Sequence, residues 1–359
     1  MKVLHIINSL ETGGAQKLLA DLLPRLNKYY DTEIKVAVFN ITNSEYEKIL
    51  TDCGIEVINL KTRPASVKAI WQLSKLMQQT DIAHVHLFAA NYAAAFAKIL
   101  THKPLVLTEH STHNKRRDHS WLRPVEKFVY RRFNKIACIS VQTAQTLTEW
   151  IGCDIAQKRI ETITNGIDIE RYSNAHASSP ERMFGKPGIP VLMVSRFVES
   201  KDQPTLIRAI EEIPNSEVYA VFAGDGPLKE QCIRLADELG VSDRILFLGT
   251  RNDIPEIIKA SKIGVQSSHW EGFGLSALEM MAGGLPVIAS DVPGLRQVVE
   301  NVGATFPTGD HKSLAKEIQQ LLADDTSYAM AASLGLGRAV EYSIDKTVND
   351  YHNLYRQLL

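Results

Sequence analysis

Three glycine-bearing loops in this sequence stand where backbone N–H groups would meet an anion. The first, Gly13-Gly14, follows an apolar run at 3–7 and opens a helical stretch. Paired glycines let a backbone approach a ligand closely, and the first N–H groups of a helix favour negative charge. In the second, Glu271-Gly272-Phe273-Gly274-Leu275-Ser276, two glycines precede a helix expected at about 276–281. The N–H groups of Phe273, Gly274 and Leu275 would there face a diphosphate. The third, Gly224-Asp225-Gly226-Pro227, reads equally as a plain strand-to-helix turn or as a loop beside a nucleotide. None of the three spells G-x-G-x-x-G, so a nicotinamide or flavin cofactor gains little support. Cys53, Cys138, Cys153 and Cys232 are scattered, with no Cys-x-x-Cys pair and no histidine spacing suited to zinc; reduced thiols are the reading.

The elements that must position these loops alternate between strand and helix. Short apolar runs at 3–7, 34–39, 57–58, 82–86, 105–108, 136–139 and 159–163 are separated by helical stretches such as 15–26, 66–77 and 89–99. The pattern lapses across residues 173–189, a stretch rich in Ser, Pro and Gly, and resumes with runs at 191–194, 218–223, 245–248, 263–266 and 287–289. Such alternation predicts parallel sheets with helices on both faces. The fold class is therefore α/β, with two Rossmann-like, doubly wound domains at 1–172 and 190–342 and a linker at 173–189. A length of 359 residues suits two hydrophobic cores. In open sheets of this kind ligands bind outside the carboxyl ends of the strands, where all three loops fall.

The loops belong to an ordered series: GGAQ after the first strand, TEHSTH after the fifth, NGID at 165–168, SRFVESKDQPTLIRA at 195–209, GDGPL at 224–228 and EGFGLSALEMMAGGLPVIAS at 271–290. In order and over nearly the whole chain, this series resembles the GT-B-fold retaining glycosyltransferases of the group 1, or GT4, type. Its most specific element is Glu271 and Glu279, with seven residues between them and set within EGFG…LE…AGG. The resemblance implies two domains facing a deep cleft, with a last helix, about 343–359, crossing back to the first domain. It implies transfer of a sugar from a nucleotide-diphosphate donor, UDP ahead of GDP, to a carbohydrate or lipid-linked acceptor in surface polysaccharide or glycan synthesis. Arg196 and Lys201 would clamp the diphosphate, Glu271 would bind the sugar hydroxyls and Glu279 the ribose. Phe273, Gly274 and Leu275 would offer backbone N–H groups. Gly13 and Gly14 would let the first domain approach the donor, His110 would contact the sugar, and Arg251 would lie near the base.

Departure of the nucleotide builds negative charge on the β-phosphate, which must meet a metal or fixed cations. No DxD-type carboxylate pair stands at a strand end, and Asp168-Ile169-Glu170 belongs to another turn. Arg196 and Lys201, a planar fork and a point charge on one loop, fit as the substitute, so neither metal nor cofactor is expected. An inverting enzyme would need a base, for which His110, Glu109 or His86 would serve; in a retaining one His110 orients instead. His84 and His86 are expected to alternate along their strand, so that at most one faces the cleft, with His84 structural. Rival readings are another GT-B-type enzyme, such as a nucleotide-sugar epimerase or phosphorylase, a non-catalytic carbohydrate-binding relic, and, more distantly, a nicotinamide dehydrogenase.

Charge is uneven along the chain. Residues 1–170 carry 22 Lys and Arg against 17 Asp and Glu, whereas residues 171–359 carry 18 against 24. The overall formal charge of -1 argues against nucleic-acid binding. Residues 115–135 hold eight basic side chains interleaved with Trp121, Leu122, Val125, Phe128 and Val129. Either this is a core-packed helix with Leu122, Val125, Phe128 and Val129 inward, or it meets anionic lipid or a lipid diphosphate. The N-terminal apolar run is too short for a signal sequence and no stretch is long enough to span a membrane. A cytoplasmic location, with contact at the inner face of the cell membrane through 115–135, is the expectation.

Overall fold

The computed structural model of the chain describes residues 1–11, 13–112 and 115–359. Thr12, His113 and Asn114, and the side chain of Lys115, lie outside the described residues, and with them the last histidine of TEHSTH. The chain packs as two units, Met1–Gly166 with Ile344–Leu359, and Ile167–Ser343.

The first unit carries seven parallel strands: β1 (Lys2–Ile7), β2 (Glu33–Val38), β3 (Glu56–Asn59), β4 (Ile82–His86), β5 (Leu105–Glu109), β6 (Lys135–Cys138) and β7 (Ile160–Thr162). Their order is β3-β2-β1-β4-β5-β6-β7. β1 pairs with β2 from Lys2↔Glu33 to Ile7↔Val38 and with β4 from Val3↔Ile82 to Ile6↔Val85. Winding reverses between β1 and β4, so the loops leaving these two strands part and open a crevice. Helices on both faces bury the sheet, which is why its central strands read as near-continuous apolar runs. Helix Gly14–Tyr29 buries Leu18, Leu19, Leu22, Leu23 and Leu26 at helical spacing. The last helix, Ile344–Arg356, adds Ile344, Val348, Tyr351, Leu354 and Tyr355 to that same core. The chain therefore ends within its first unit, as the resemblance implied.

The second unit has six parallel strands: β8 (Ile189–Val194), β9 (Val218–Ala223), β10 (Ile245–Gly249), β11 (Ile263–Gln266), β12 (Val287–Ser290) and β13 (Ala304–Phe306). They run in the order β10-β9-β8-β11-β12-β13, with the reversal between β8 and β11. The last strand escaped the sequence reading because its three residues are too few to show a period; it pairs with β12 from Ile288↔Ala304 to Ser290↔Phe306. Residues 173–189, read as a linker, fold with the second unit. They carry the short helix Pro180–Phe184, whose cap Ser179 accepts the Arg182 N–H.

Candidate functional site

In the second unit the loops that leave β8 and β11 flank the reversal of the sheet. Arg196, two residues beyond β8, is exposed, and no described residue pairs with its guanidinium. Lys201 ends the short 3-10 turn Glu199–Lys201, and its ammonium forms an ion pair with the Glu271 carboxylate from the other loop. Glu271 also accepts the N–H of Gly272 at 3.2 Å. Two residues far apart in the chain are thus joined across the crevice, both partly buried.

Buried polar side chains at the strand ends hold the two loops in register. Ser267 Oγ donates to the carbonyl of Asp202 at 2.7 Å, and Gln266 Nε2 donates to that of Val194 at 3.1 Å. Gln203 Nε2 donates to Ser195 Oγ and to the Arg196 carbonyl, both at 2.9 Å, while the His269 N–H donates to Ser200 at 2.9 Å. Sequence reasoning passed over Gln203, Gln266 and Ser267. The available signal was a polar run, Gln-Ser-Ser, closing an apolar strand.

The glycines play different parts. Gly224 (φ 144°) and Gly226 (φ 158°) press against the 195–197 backbone, where added Cβ atoms would lie 2.0 Å from the Ser195 carbonyl oxygen and 2.4 Å from that of Phe197. The Gly-Asp-Gly loop is therefore a support beneath Arg196. Gly274 caps helix Leu275–Ala282 in the left-handed region, with φ 96° and ψ 42°. Phe273 is buried edge-on against Tyr342, with ring centroids 5.4 Å apart, so only its backbone is available. Among the described residues the N–H groups of Phe273, Gly274 and Leu275 have no hydrogen-bond partner, as the first turn of a helix leaves them. Glu279 lies one turn further along that helix and is 5% exposed. Gly294 was missed: a Cβ there would stand 2.1 Å from the Glu271 carbonyl oxygen, so Gly294 lets its helix abut the Glu271 loop.

Arg251 follows the edge strand β10, two strands from β8. It pairs with Asp253, whose carboxyl the Arg251 hydrogen bond holds below the ordinary range. No described contact joins Arg251 to Arg196, Lys201 or Glu271. Asp168, as expected, belongs to a separate turn, where it accepts the Arg171 N–H at 3.2 Å and caps a short helix.

In the first unit Gly13 caps helix Gly14–Tyr29. Its φ of 178° is ordinary extended backbone, and the nearest atom to an added Cβ is the flexible end of Gln16, so Gly13 is not required by its conformation. His110, just beyond β5, is partly buried, and burial pushes its imidazole down to about 4. The expectation for His84 and His86 was wrong. Residues i and i+2 of a strand point to the same face, and the two rings lie 4.2 Å apart. Both are fully buried, and with His5 of β1 each presents a ring nitrogen within 4.8 Å of the others. A metal-compatible histidine group therefore exists that sequence spacing did not reveal. In this structure its nitrogens are engaged in hydrogen bonds to one another, to Tyr355 and to Thr108.

The basic segment corrects the expected packing. Glu126, Val129 and Tyr130 are the buried residues of helix Arg123–Tyr130, whereas Trp121, Val125 and Phe128 are 73%, 50% and 43% exposed. The inward place is taken by the Glu126 carboxylate, which accepts Tyr92 Oη at 2.5 Å and Trp150 Nε1 at 3.1 Å and pairs with Arg116. Arg117 lies beside Glu109, and Arg131 pairs with Asp154. Among the described residues, no helix is long and apolar enough to cross a membrane.

Taken together, the two sheets define a protein of two Rossmann-like domains of the GT-B kind. The crystal structure of Anabaena Alr3699/HepE in complex with UDP-glucose shares this fold, with a TM-score of 0.88 at 23% identity, covering 99% of this chain and 100% of that one. Two family profiles match in tandem, Glycosyltransferase Family 4 over residues 12–171 and Glycosyl transferases group 1 over residues 181–335. The chain belongs to the group 1, family 4-type glycosyltransferases. A D-inositol 3-phosphate glycosyltransferase of Corynebacterium urealyticum is 30% identical over 225 residues, 58% of this chain and 53% of its own, so the match spans about half that relative's length. The UDP-Gal:alpha-D-GlcNAc-diphosphoundecaprenol alpha-1,3-galactosyltransferase of Escherichia coli is 26% identical over 80% of this chain and 79% of its own.

Proposed function

We propose that this chain moves a sugar from a nucleotide-diphosphate donor, UDP ahead of GDP, to a carbohydrate or lipid-linked acceptor, with retention at the anomeric carbon and without a divalent ion. The observation that carries the reading is the convergence of Arg196, the Lys201–Glu271 pair and the open N–H groups of 273–275 at one strand reversal. As the nucleotide departs, charge grows on its β-phosphate. A guanidinium with no partner among the described residues is available to receive it, beside an ammonium that Glu271 holds in place. Glu271 would then serve twice, aiming Lys201 and accepting hydrogen bonds from the sugar. Glu279 would take the ribose hydroxyls, and His110 would orient the sugar. Gly13 and Gly14 would admit the donor phosphates at the first unit's loop. Arg251, tied to Asp253, contributes at most to the rim. The UDP-glucose of the Anabaena structure and the UDP-Gal named for the Escherichia coli relative support a uridine donor.

The test is nucleotide release measured with and without acceptor, in EDTA. UDP release that requires a carbohydrate acceptor and persists in chelator is the expected result. Release without acceptor favours an epimerase-type enzyme, and rescue by Mg²⁺ or Mn²⁺ after chelation overturns the metal-free reading. Arg196→Ala should lower kcat by about 10²–10³, as loss of one preorganised donor does. Thermal shift across a panel of nucleotide sugars identifies the donor, since a specific ligand raises Tm by mass action.

The exposed Trp121, Val125 and Phe128, beside Lys127, support peripheral contact with anionic lipid from the cytoplasmic side. Arg116 and Arg117 are engaged by Glu126 and Glu109, so the informative variant is Trp121→Ser with Lys127→Glu. Liposome flotation unchanged by that pair removes the membrane contact.

A further inference from the structure

We propose that His86 and His5 are positioning residues that fix which nitrogen of His110 bears hydrogen, leaving His110 Nδ1 bare to accept a hydroxyl hydrogen of the bound sugar. The identity of that hydroxyl rests on the transferase reading; the hydrogen assignment does not.

The geometry is a chain of contacts through the first unit's core. His110 Nε2 lies 3.2 Å from His86 Nδ1, and His86 Nε2 lies 3.0 Å from His5 Nδ1. His5 Nε2 faces the Tyr355 hydroxyl at 3.5 Å, and that hydroxyl lies 2.6 Å from His84 Nδ1. His84 Nε2 in turn meets Thr108 Oγ1 at 2.7 Å. His5, His84 and His86 have no exposed surface. Burial keeps the rings neutral, pushing His5 down to about 3 and His84 and His86 well below the ordinary range.

A neutral imidazole has one N–H and one lone-pair nitrogen. When both nitrogens are engaged it must donate on one side and accept on the other, so each ring passes the direction of donation to the next. Tyr355 sets that direction. Burial raises its phenol far above the ordinary range, so the hydroxyl keeps its hydrogen. Both His84 contacts are short, 2.6 Å to Tyr355 and 2.7 Å to Thr108, and a neutral ring donates in only one of them; the 3.5 Å contact between Tyr355 Oη and His5 Nε2 decides, being too long for an O–H donor and nearer the reach of an N–H. Tyr355 therefore donates to His84 Nδ1, and its oxygen is left to accept from His5 Nε2. His5 Nδ1 must then accept from His86 Nε2, and His86 Nδ1 from His110 Nε2. His110 Nδ1 remains without hydrogen. The opposite direction would make Tyr355 donate across 3.5 Å while a ring N–H crowded it at 2.6 Å.

The deciding experiment is a long-range ¹H–¹⁵N spectrum of the full chain labelled with ¹⁵N-histidine, without substrate, with the His110 signals assigned from His110→Asn. The expected result is hydrogen on Nε2 and none on Nδ1; hydrogen on Nδ1 overturns the proposal. His86→Phe should mix the two His110 forms and lower kcat roughly tenfold with little change in donor KM. His86→Gln, whose amide can accept from His110 and donate to His5, should restore most of that rate. If His86→Phe does not fold, the wild-type spectrum and His86→Gln still decide. Equal losses in both variants, full transfer by His110→Ala, or one equivalent of tightly bound zinc lost in His5→Gln would each overturn the relay. Because the spectrum needs no substrate, absence of any transferase activity is read separately from failure of the hydrogen assignment.

Discussion

Gly294→Ala is a perturbation whose effect can be worked out from backbone geometry alone. The new Cβ would lie 2.1 Å from the carbonyl oxygen of Glu271, 2.6 Å from its carbonyl carbon and 3.2 Å from the carbonyl carbon of Gly272. These are backbone atoms, so no rotamer change relieves the clash. Real Cβ contacts essentially never fall below 3.0 Å, so the Glu271 loop or helix Pro293–Val299 must move by about 0.9 Å. Overpacking of this kind costs about 1–3 kcal/mol. For a unit of this size that lowers Tm by roughly 2–12 °C. The functional effect should be larger than the stability effect, because Glu271 holds Lys201 and a misplacement near 1 Å can cost about 10²-fold in rate. The assay pairs a thermal melt with the initial rate of acceptor-dependent nucleotide release. Gly337→Ala is the control: its site has open space in a helix, and it should raise stability by about 0.5–1 kcal/mol without touching the rate. Gly294→Ala with wild-type melting and wild-type rate would refute the close approach and the reasoning built on it.

Glu279→Ala should weaken binding of free UDP roughly 10–100-fold, as loss of a charged hydrogen bond does. Glu271→Ala should spare free UDP and weaken the nucleotide sugar; equal effects on both, by calorimetry, contradict that division. Glu126→Ala should cost about 3–5 kcal/mol in urea unfolding, because it removes a buried carboxylate that pairs with the partly buried Arg116 and leaves Tyr92 and Trp150 without that acceptor; a loss below about 1 kcal/mol counts against a buried carboxylate. Stability should also fall with acid. His5 and His110 are held to about 3 and about 4, below the ordinary 6.5, so below about pH 6.5 the unfolded chain binds more protons than the folded one. Each such histidine should remove about 1.4 kcal/mol per pH unit between about pH 6.5 and its folded value, while stability above that window should not depend on them. Urea melts from pH 7 to 5 that stay level would exclude neutral buried rings.

Much of this molecule could be read along the chain because its signals are local. Alternation of apolar runs and helical periods determined two doubly wound sheets, and a glycine-rich turn before a helix marked the loop at 271–276. Glu271 and Glu279 are legible for the same reason, since loop, helix start and carboxylates all fall within nine residues. Where the pattern was too short, as in β13, or where polar residues close a strand, as at Gln266 and Ser267, the reading fell short. Tertiary structure alone decided the rest. It joined Lys201 to Glu271 across 70 residues and His84 to Tyr355 across 271, and it put Gly294 against the Glu271 backbone. It also placed Glu126 inward and Phe128 outward, against the periodicity of their helix. The physical reason is common to all four. A side chain's charge, tautomer or steric allowance is set by whatever atom lies within a few ångströms of it, and in a wound sheet those atoms come from strands and helices far away in sequence.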